Sequence, residues 1–277
     1  MILNLDQNLS IHKKQITKIL NKNVDPAQIF PKNGRSLLRS SAVFLLMGTK
    51  YNNKKSESEL CVILNKRSPA VRQPGDICCP GGGISTPLDP VIAKLLTLPA
   101  FPMARWKHWN KWRMQHPKEA RKLAVVFAAC LRESFEEMSL NPFGVQLLGP
   151  LPMEYLSLSN KMLYPIVGWV LKQREFIPNW EVDKILYIPV KDLLNYENYG
   201  KFTIQLLPNI RKNTEKNRYY QCFICQDQNG KELLWGATYR IVIRFMKTVF
   251  GFKPPENESL QLINAKFYKT YPEAFTE

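Results

Sequence analysis

The sequence predicts an α/β or α+β sandwich rather than a doubly wound parallel sheet. Three observations carry this expectation. Short apolar runs come in pairs joined by polar turns, as hairpins do. Helical patterns stand singly after groups of strands instead of alternating with each one. Hydrophobic residues make up 45% of the 277 residues and aromatics 11%, enough for a packed core in one elaborated domain or two small ones.

Residues 1–33 are polar, with a helix near Ile16–Leu20 and a looser stretch around Pro26 and Pro31. SAVFLLMG (41–48) reads as a buried strand, YNNKKSESE as the turn after it, and LCVILNKRS (60–68) as the returning strand. PGDICCPGGG (74–83) reads as a short strand running into a glycine turn at Gly81–Gly83. From Ile84 to His116 prolines and a basic tryptophan cluster interrupt any pattern. Pro117 then opens a long helix, since its missing N–H is not needed in a first turn, and the helix runs to about Asn141–Pro142.

Three strands follow at 145–152, 164–172 and 184–190, then a short helix or turn at 191–197. The stretches 219–226 and 231–235 form a hairpin around Gln228-Asn229-Gly230, where Asn-Gly supplies positive φ. ATYRIVIRFMKTVF (237–250) is an amphipathic helix ended by Gly251.

The formal net charge of +16 favours polyanionic partners: nucleic acid, acidic lipid or a phosphate-rich small molecule. Six cysteines lie mostly in apolar runs, as reduced thiols do, and Cys222 and Cys225 form a CxxC with no second pair to complete a zinc site. A reducing, cytoplasmic compartment is expected. MILNLDQNLSIHKKQ lacks a signal-peptide core, no run is long enough for a transmembrane segment, and the terminal FTE is not a peroxisomal address.

The chemistry concentrates in LRESFEEMSL (131–140). Glu133, Glu136 and Glu137 fall on one helical face, where like charges repel unless a cation sits among them. From spacing alone the plainer reading is a solvated acidic face. The glycine turn at Gly81–Gly83, which leads to this helix by way of a long segment, changes the weighing, because glycines let a backbone approach closely and Mg²⁺ takes carboxylate and carbonyl oxygens.

RESFEEMSL resembles the second half of the Nudix box, Arg-Glu-x-x-Glu-Glu-x-Gly-hydrophobic, and CPGG resembles its opening. KRSPAVRQPGDICCPGG further resembles the signature of the coenzyme A diphosphatase branch, through Arg67, Ser68, Arg72, Gly75, Pro80, Gly81 and Gly82. GPLP, YPIVGWV, EVDKILYIPVKDLL and LLWGATYRI also resemble that branch, so the likeness runs from about Ser41 to Phe250. It departs in three respects. A long insertion, at about 84–117, separates Gly82 from Arg132. The early box Glu falls at Leu88, with Asp89 adjacent. Ser139 replaces the late Gly, Cys79 replaces a Phe, and Arg72 to Gly75 is one residue short.

The resemblance implies a Nudix-type α/β/α sandwich with a mixed β-sheet. It also implies an N-terminal extension at 1–33, a hydrolase domain at 34–252 and a tail at 253–277. The reaction would be hydrolysis of the diphosphate of coenzyme A or acyl-CoA with Mg²⁺ or Mn²⁺. Glu133, Glu136 and Glu137 would be the metal ligands, with Glu136 also a candidate to orient the attacking water. Arg132 would brace the helix on the glycines, and Glu181 is a further candidate base. Arg67 and Arg72, with Gly75, Gly81 and Gly82, would meet the substrate, arginine offering phosphate a two-pronged donor. Their plainer role is that of exposed loop arginines.

Trp106, Trp109 and Trp112 in the insertion share a broad helical face. They dock a helix on its own domain, cap the adenine or acyl chain as a lid, or touch an acidic membrane. The alternatives for function are another nucleoside diphosphate derivative, such as NADH, ADP-ribose or capped RNA, and a non-catalytic module gripping RNA through the basic tryptophans. Nucleic acid is the less favoured partner, and the sequence does not set an oligomeric state.

Overall fold

A computed structural model describes residues 9–22, 24–31, 37, 40–52, 57–156, 160–171, 173, 175–203, 219–227 and 230–263. The core begins with two long strands whose side chains are apolar on both faces. In β1 (Ser40–Asn52), Ala42, Phe44 and Leu46 point to one side, while Leu45 and Met47 point to the other. In β2 (Glu57–Arg67), Ile63 joins the first side, and Leu60, Val62 and Leu64 join the second. Successive strand residues face opposite ways, so a continuous apolar run demands cover on both faces of the sheet.

β1 and β2 form the expected antiparallel hairpin, in which Leu46 pairs with Ile63. β3 (Ile77–Cys78) pairs with Asn65 and Lys66 on the same edge of β2 as β1, and β8 (Val182–Pro189) takes the far edge of β2. On the other side β1 runs parallel to β7 (Lys161–Val170), which holds β5 (Val145–Pro150) and β6 (Glu154–Leu156) antiparallel. One parallel pairing among antiparallel ones makes the sheet mixed. A smaller sheet follows, ordered β11-β10-β9-β12 and built from β9 (Tyr199–Thr203), β10 (Tyr219–Asp227), β11 (Gly230–Trp235) and β12 (Gln261–Leu262). The hairpin turn at Gln228 and Asn229 lies outside the described residues.

One face of the main sheet is covered by α5 (Pro117–Met138), which buries Leu123, Phe127 and Leu131. The opposite face is covered by α1 (Leu9–Leu20) and α7 (Gly236–Phe250), and two single turns, α2 (Pro26–Ile29) and α6 (Val190–Leu193), link larger elements. Asn21 fastens α1 to β5 by donating to the Leu148 carbonyl at 2.7 Å. Gly251 ends α7 at φ 66, as its position predicts. Helix, sheet and helix thus form the expected α/β/α sandwich.

Three local expectations are corrected. Gly81–Gly83 is not a turn but a strand, β4, paired antiparallel with Ser41, Ala42 and Val43 of β1. Backbone groups alone make a ladder, so side-chain pattern could not announce it. The patternless stretch after Ile84 contains α3 (Asp89–Leu96) and α4 (Trp109–Gln115), both packed on α5. α5 ends at Met138 rather than near Asn141, because Ser139 turns to φ 54.

Trp106 precedes α4 rather than sharing its helix, but all three tryptophans are buried, at 2%, 6% and 5% exposure for Trp106, Trp109 and Trp112. Trp106 Nε1 donates to the Leu148 carbonyl at 3.3 Å. Of the readings open for these rings, docking on the domain is the one observed. A buried ring cannot stack on a base or cap a ligand.

Candidate active site

The last turns of α5 bring Arg132, Glu133, Glu136 and Glu137 against β4, and the glycines explain how closely. A Cβ on Gly82 would lie 2.4 Å from Glu133 Oε2, so only a bare backbone leaves room for that carboxylate. Gly81 sits at φ 139, where a Cβ would fall 2.3 Å from the Ala42 carbonyl oxygen. Its N–H donates to Glu137 Oε2 at 3.1 Å.

Glu137 is buried and receives a second bond on the same oxygen, from Asn65 Nδ2 at 3.0 Å. Burial pushes its carboxyl up to about 8, and the charges of Glu133 and Glu181 push the same way, against the Gly81 N–H and Arg67. Glu133 is also raised, mainly by burial, with Arg132 opposing. Glu136 stands outside this pocket, its side chain half exposed.

Arg132 is the cation among the acids. Its Nη1 donates to Glu133 Oε1 at 2.9 Å and reaches Glu136 Oε2 at 3.4 Å. Nε and Nη2 grip the two oxygens of Asp89 at 2.8 and 3.1 Å, and Nη2 also donates to the Gly83 carbonyl at 2.9 Å. The bond to Asp89 is the main reason its guanidinium is held still more firmly protonated. Asp89 is wholly buried and accepts also from the Ser85 N–H at 2.6 Å. Asp89 directly follows Leu88, the position at which the resemblance set the early acid.

The second group of predicted residues forms a loop beside Glu137. Arg67 ends β2 and donates from Nε to the Arg72 carbonyl at 2.7 Å. Its own carbonyl accepts from the Gly75 N–H at 3.0 Å, with Gly75 at φ 80. Arg72 is exposed at the loop's outer side. The loop is tied to Glu181, whose carbonyl accepts from the Ser68 N–H at 2.8 Å. Asn179 in turn donates its N–H to the Glu137 carbonyl at 2.9 Å, so loop, base candidate and acidic helix are stitched together.

Sequence reasoning missed Asn65 as a partner of Glu137; a polar residue inside LCVILN was the available signal. Among the described residues no group of three His, Cys, Asp or Glu side chains is arranged to hold a metal ion, since Arg132 draws Glu133 and Glu136 to itself.

No family model matches this chain. A curated relative, an uncharacterized Nudix hydrolase NudL of Pectobacterium atrosepticum, is 28% identical over 118 residues, covering 42% of this chain and 55% of the relative. This match supports a place in the Nudix hydrolase superfamily. The chain spans about half the length of that Nudix relative. Among solved structures, a MutT/nudix family protein from Enterococcus faecalis covers 87% of this chain and 74% of its own at 9% identity and TM-score 0.39. A NUDIX hydrolase from Alicyclobacillus acidocaldarius covers 57% and 81% at 15% identity and TM-score 0.35. Among the described residues no helix is long and apolar enough to cross a membrane.

Proposed function

We propose that this protein hydrolyses the diphosphate of coenzyme A or an acyl-CoA, giving adenosine 3′,5′-bisphosphate and 4′-phosphopantetheine or its acyl form. The observation that carries the reading is the seat of Glu137: a buried carboxylate held on one oxygen by Gly81 and Asn65, close to the charges of Glu133 and Glu181.

The donor chemistry fits Mg²⁺ or Mn²⁺. The available groups are hard carboxylate oxygens, and burial, with neighbouring acids adding to it, has raised both Glu133 and Glu137. Glu137, Glu133 and Glu136 would hold the ion, with Glu133 and Glu136 giving up their contacts to Arg132. Bound there, a divalent cation supplies charge stabilisation to phosphoryl oxygens and a more acidic water. Asp89 keeps Arg132 in place throughout, and Arg132 keeps α5 seated on the Gly83 carbonyl. Gly82 leaves room for Glu133 and Gly81 donates to Glu137, so both acids sit against β4, and Glu136 or Glu181 would orient the water.

The coenzyme A assignment rests on the resemblance of KRSPAVRQPGDICCPGG and on Arg67, whose charge reaches Glu137. Arg67 and Arg72 would bind phosphate oxygens. The test compares coenzyme A, NADH, ADP-ribose and capped RNA under one metal condition. Coenzyme A should be the best substrate, and Arg67→Ala with Arg72→Ala should remove that preference. A preference that survives both changes contradicts the assignment.

A further inference from the structure

We propose that α3 and its flanks form a docking surface for an anionic lipid bilayer. The helix turns its apolar side the wrong way for a globular protein. Asp89, Ala93 and Leu96 are buried where α3 packs on α5. On the opposite side Leu88, Val91, Leu95 and Leu98 are exposed at 54%, 56%, 49% and 47%. The spacing of Leu88, Val91 and Leu95 places them on one stripe about 60° wide, centred away from α5, and Leu98 follows just past the end of the helix. A single exposed leucine is ordinary, whereas three in register with a fourth beyond them mark a surface that another phase covers.

Charge identifies that phase. Between Ile84 and Lys118 the cations are Lys94, Arg105, Lys107, Lys111, Arg113 and Lys118, all exposed. The single acid in that stretch, Asp89, is buried and already bound by Arg132. Apolar side chains at the acyl boundary with Lys and Arg at phosphate level is the composition of an interfacial segment. A second copy of the chain is a poorer occupant, because a two-fold interface sets a patch against itself and would oppose cations to cations. The three buried tryptophans hold the basic segment of α4 and the preceding turns fixed on α5, the helix on which α3 also packs.

The test is co-sedimentation of the full chain with phosphatidylcholine vesicles, with and without phosphatidylglycerol, at low and high salt. The wild type should sediment with the anionic vesicles only, and high salt should weaken it. Val91→Asp/Leu95→Asp and Lys107→Glu/Arg113→Glu should each weaken partitioning roughly tenfold or more. Circular dichroism melts check that each variant folds; Leu95→Gln replaces the doubly charged variant if that one does not. Absence of sedimentation, or equal sedimentation of folded stripe variants, overturns the proposal. So does a wild-type dimer that ignores vesicles and becomes monomeric in Val91→Asp/Leu95→Asp, which assigns the stripe to self-association.

Discussion

Arg132 holds Asp89 through two parallel hydrogen bonds, Nε to Oδ1 at 2.8 Å and Nη2 to Oδ2 at 3.1 Å, and so joins α5 to the start of α3. The fork geometry suits a carboxylate, and Asp89 is wholly buried. Asp89→Asn leaves the arginine with half a partner in a pocket built for a charge pair. It should lower stability by about 3 kcal/mol, as breaking a buried pair does. Urea unfolding at neutral pH reads this directly; an unchanged midpoint would show that the pair braces nothing.

Glu137 makes stability depend on pH. Its folded pKa, about 8, lies above the ordinary 4.5, so the folded state binds the proton more tightly than the unfolded chain does. The resulting stabilisation is complete below about pH 4.5 and is lost as pH rises towards 8, amounting to a few kcal/mol at about 1.4 per unit. Without divalent ions the wild type should therefore melt lower at alkaline pH, and Glu137→Gln should flatten that decline. Parallel curves for the two proteins would remove Glu137 as the source. Added Mn²⁺ should restore the alkaline wild type and leave Glu137→Gln unaffected.

Gly82 has no side chain because Glu133 occupies the space. Gly82→Ala would press a methyl into the carboxylate, 2.4 Å away from Oε2. The expected loss of stability is about 1–3 kcal/mol, typical of overpacking. Hydrolysis should fall further than stability explains, since Glu133 must move. Gly83→Ala is the control, because its Cβ meets nothing within 4 Å. Equal behaviour of the two variants, read by thermal melts and turnover, would contradict the packing account.

Asn65 donates to Glu137 and has no other part in the proposed chemistry. Asn65→Leu keeps the volume of the site and removes the donor. If Glu137 is a metal ligand, losing an outer partner should weaken Mn²⁺ binding roughly 10–100-fold. Calorimetric titration of Mn²⁺ into substrate-free protein measures this. Unchanged affinity would detach Asn65 from the metal's surroundings.

The parts that sequence reading captured are those whose side chains carry a period. VFLLM and LCVIL announced two-sided burial, and Pro117 with Leu123, Phe127 and Leu131 announced α5. β4 escaped because three glycines have no pattern, and its ladder to β1 depends on backbone alone. The tryptophan spacing read as one helix, yet Trp106 reaches the core from a turn and α4 begins at Trp109. Within the candidate site, the acidic trio was legible from helical spacing. The grip of Arg132 on Asp89 was not, because it spans a separation of 43 residues and the packing of α3 on α5 decides it.

Ser139 ends α5 in the left-handed conformation. It adopts φ 54 at the end of α5, the conformation a glycine would take there with less strain. Ser139→Gly should leave activity intact and raise stability by about 1 kcal/mol, read from the urea midpoint.

The most direct measurement is turnover of coenzyme A with Mn²⁺ in ¹⁸O-labelled water, for the wild type and Glu137→Gln side by side. The account predicts adenosine 3′,5′-bisphosphate and 4′-phosphopantetheine from the wild type, label in one of the new phosphates, and no products from a folded Glu137→Gln. Equal yields from both proteins, or no cleavage of coenzyme A by the wild type, would contradict it.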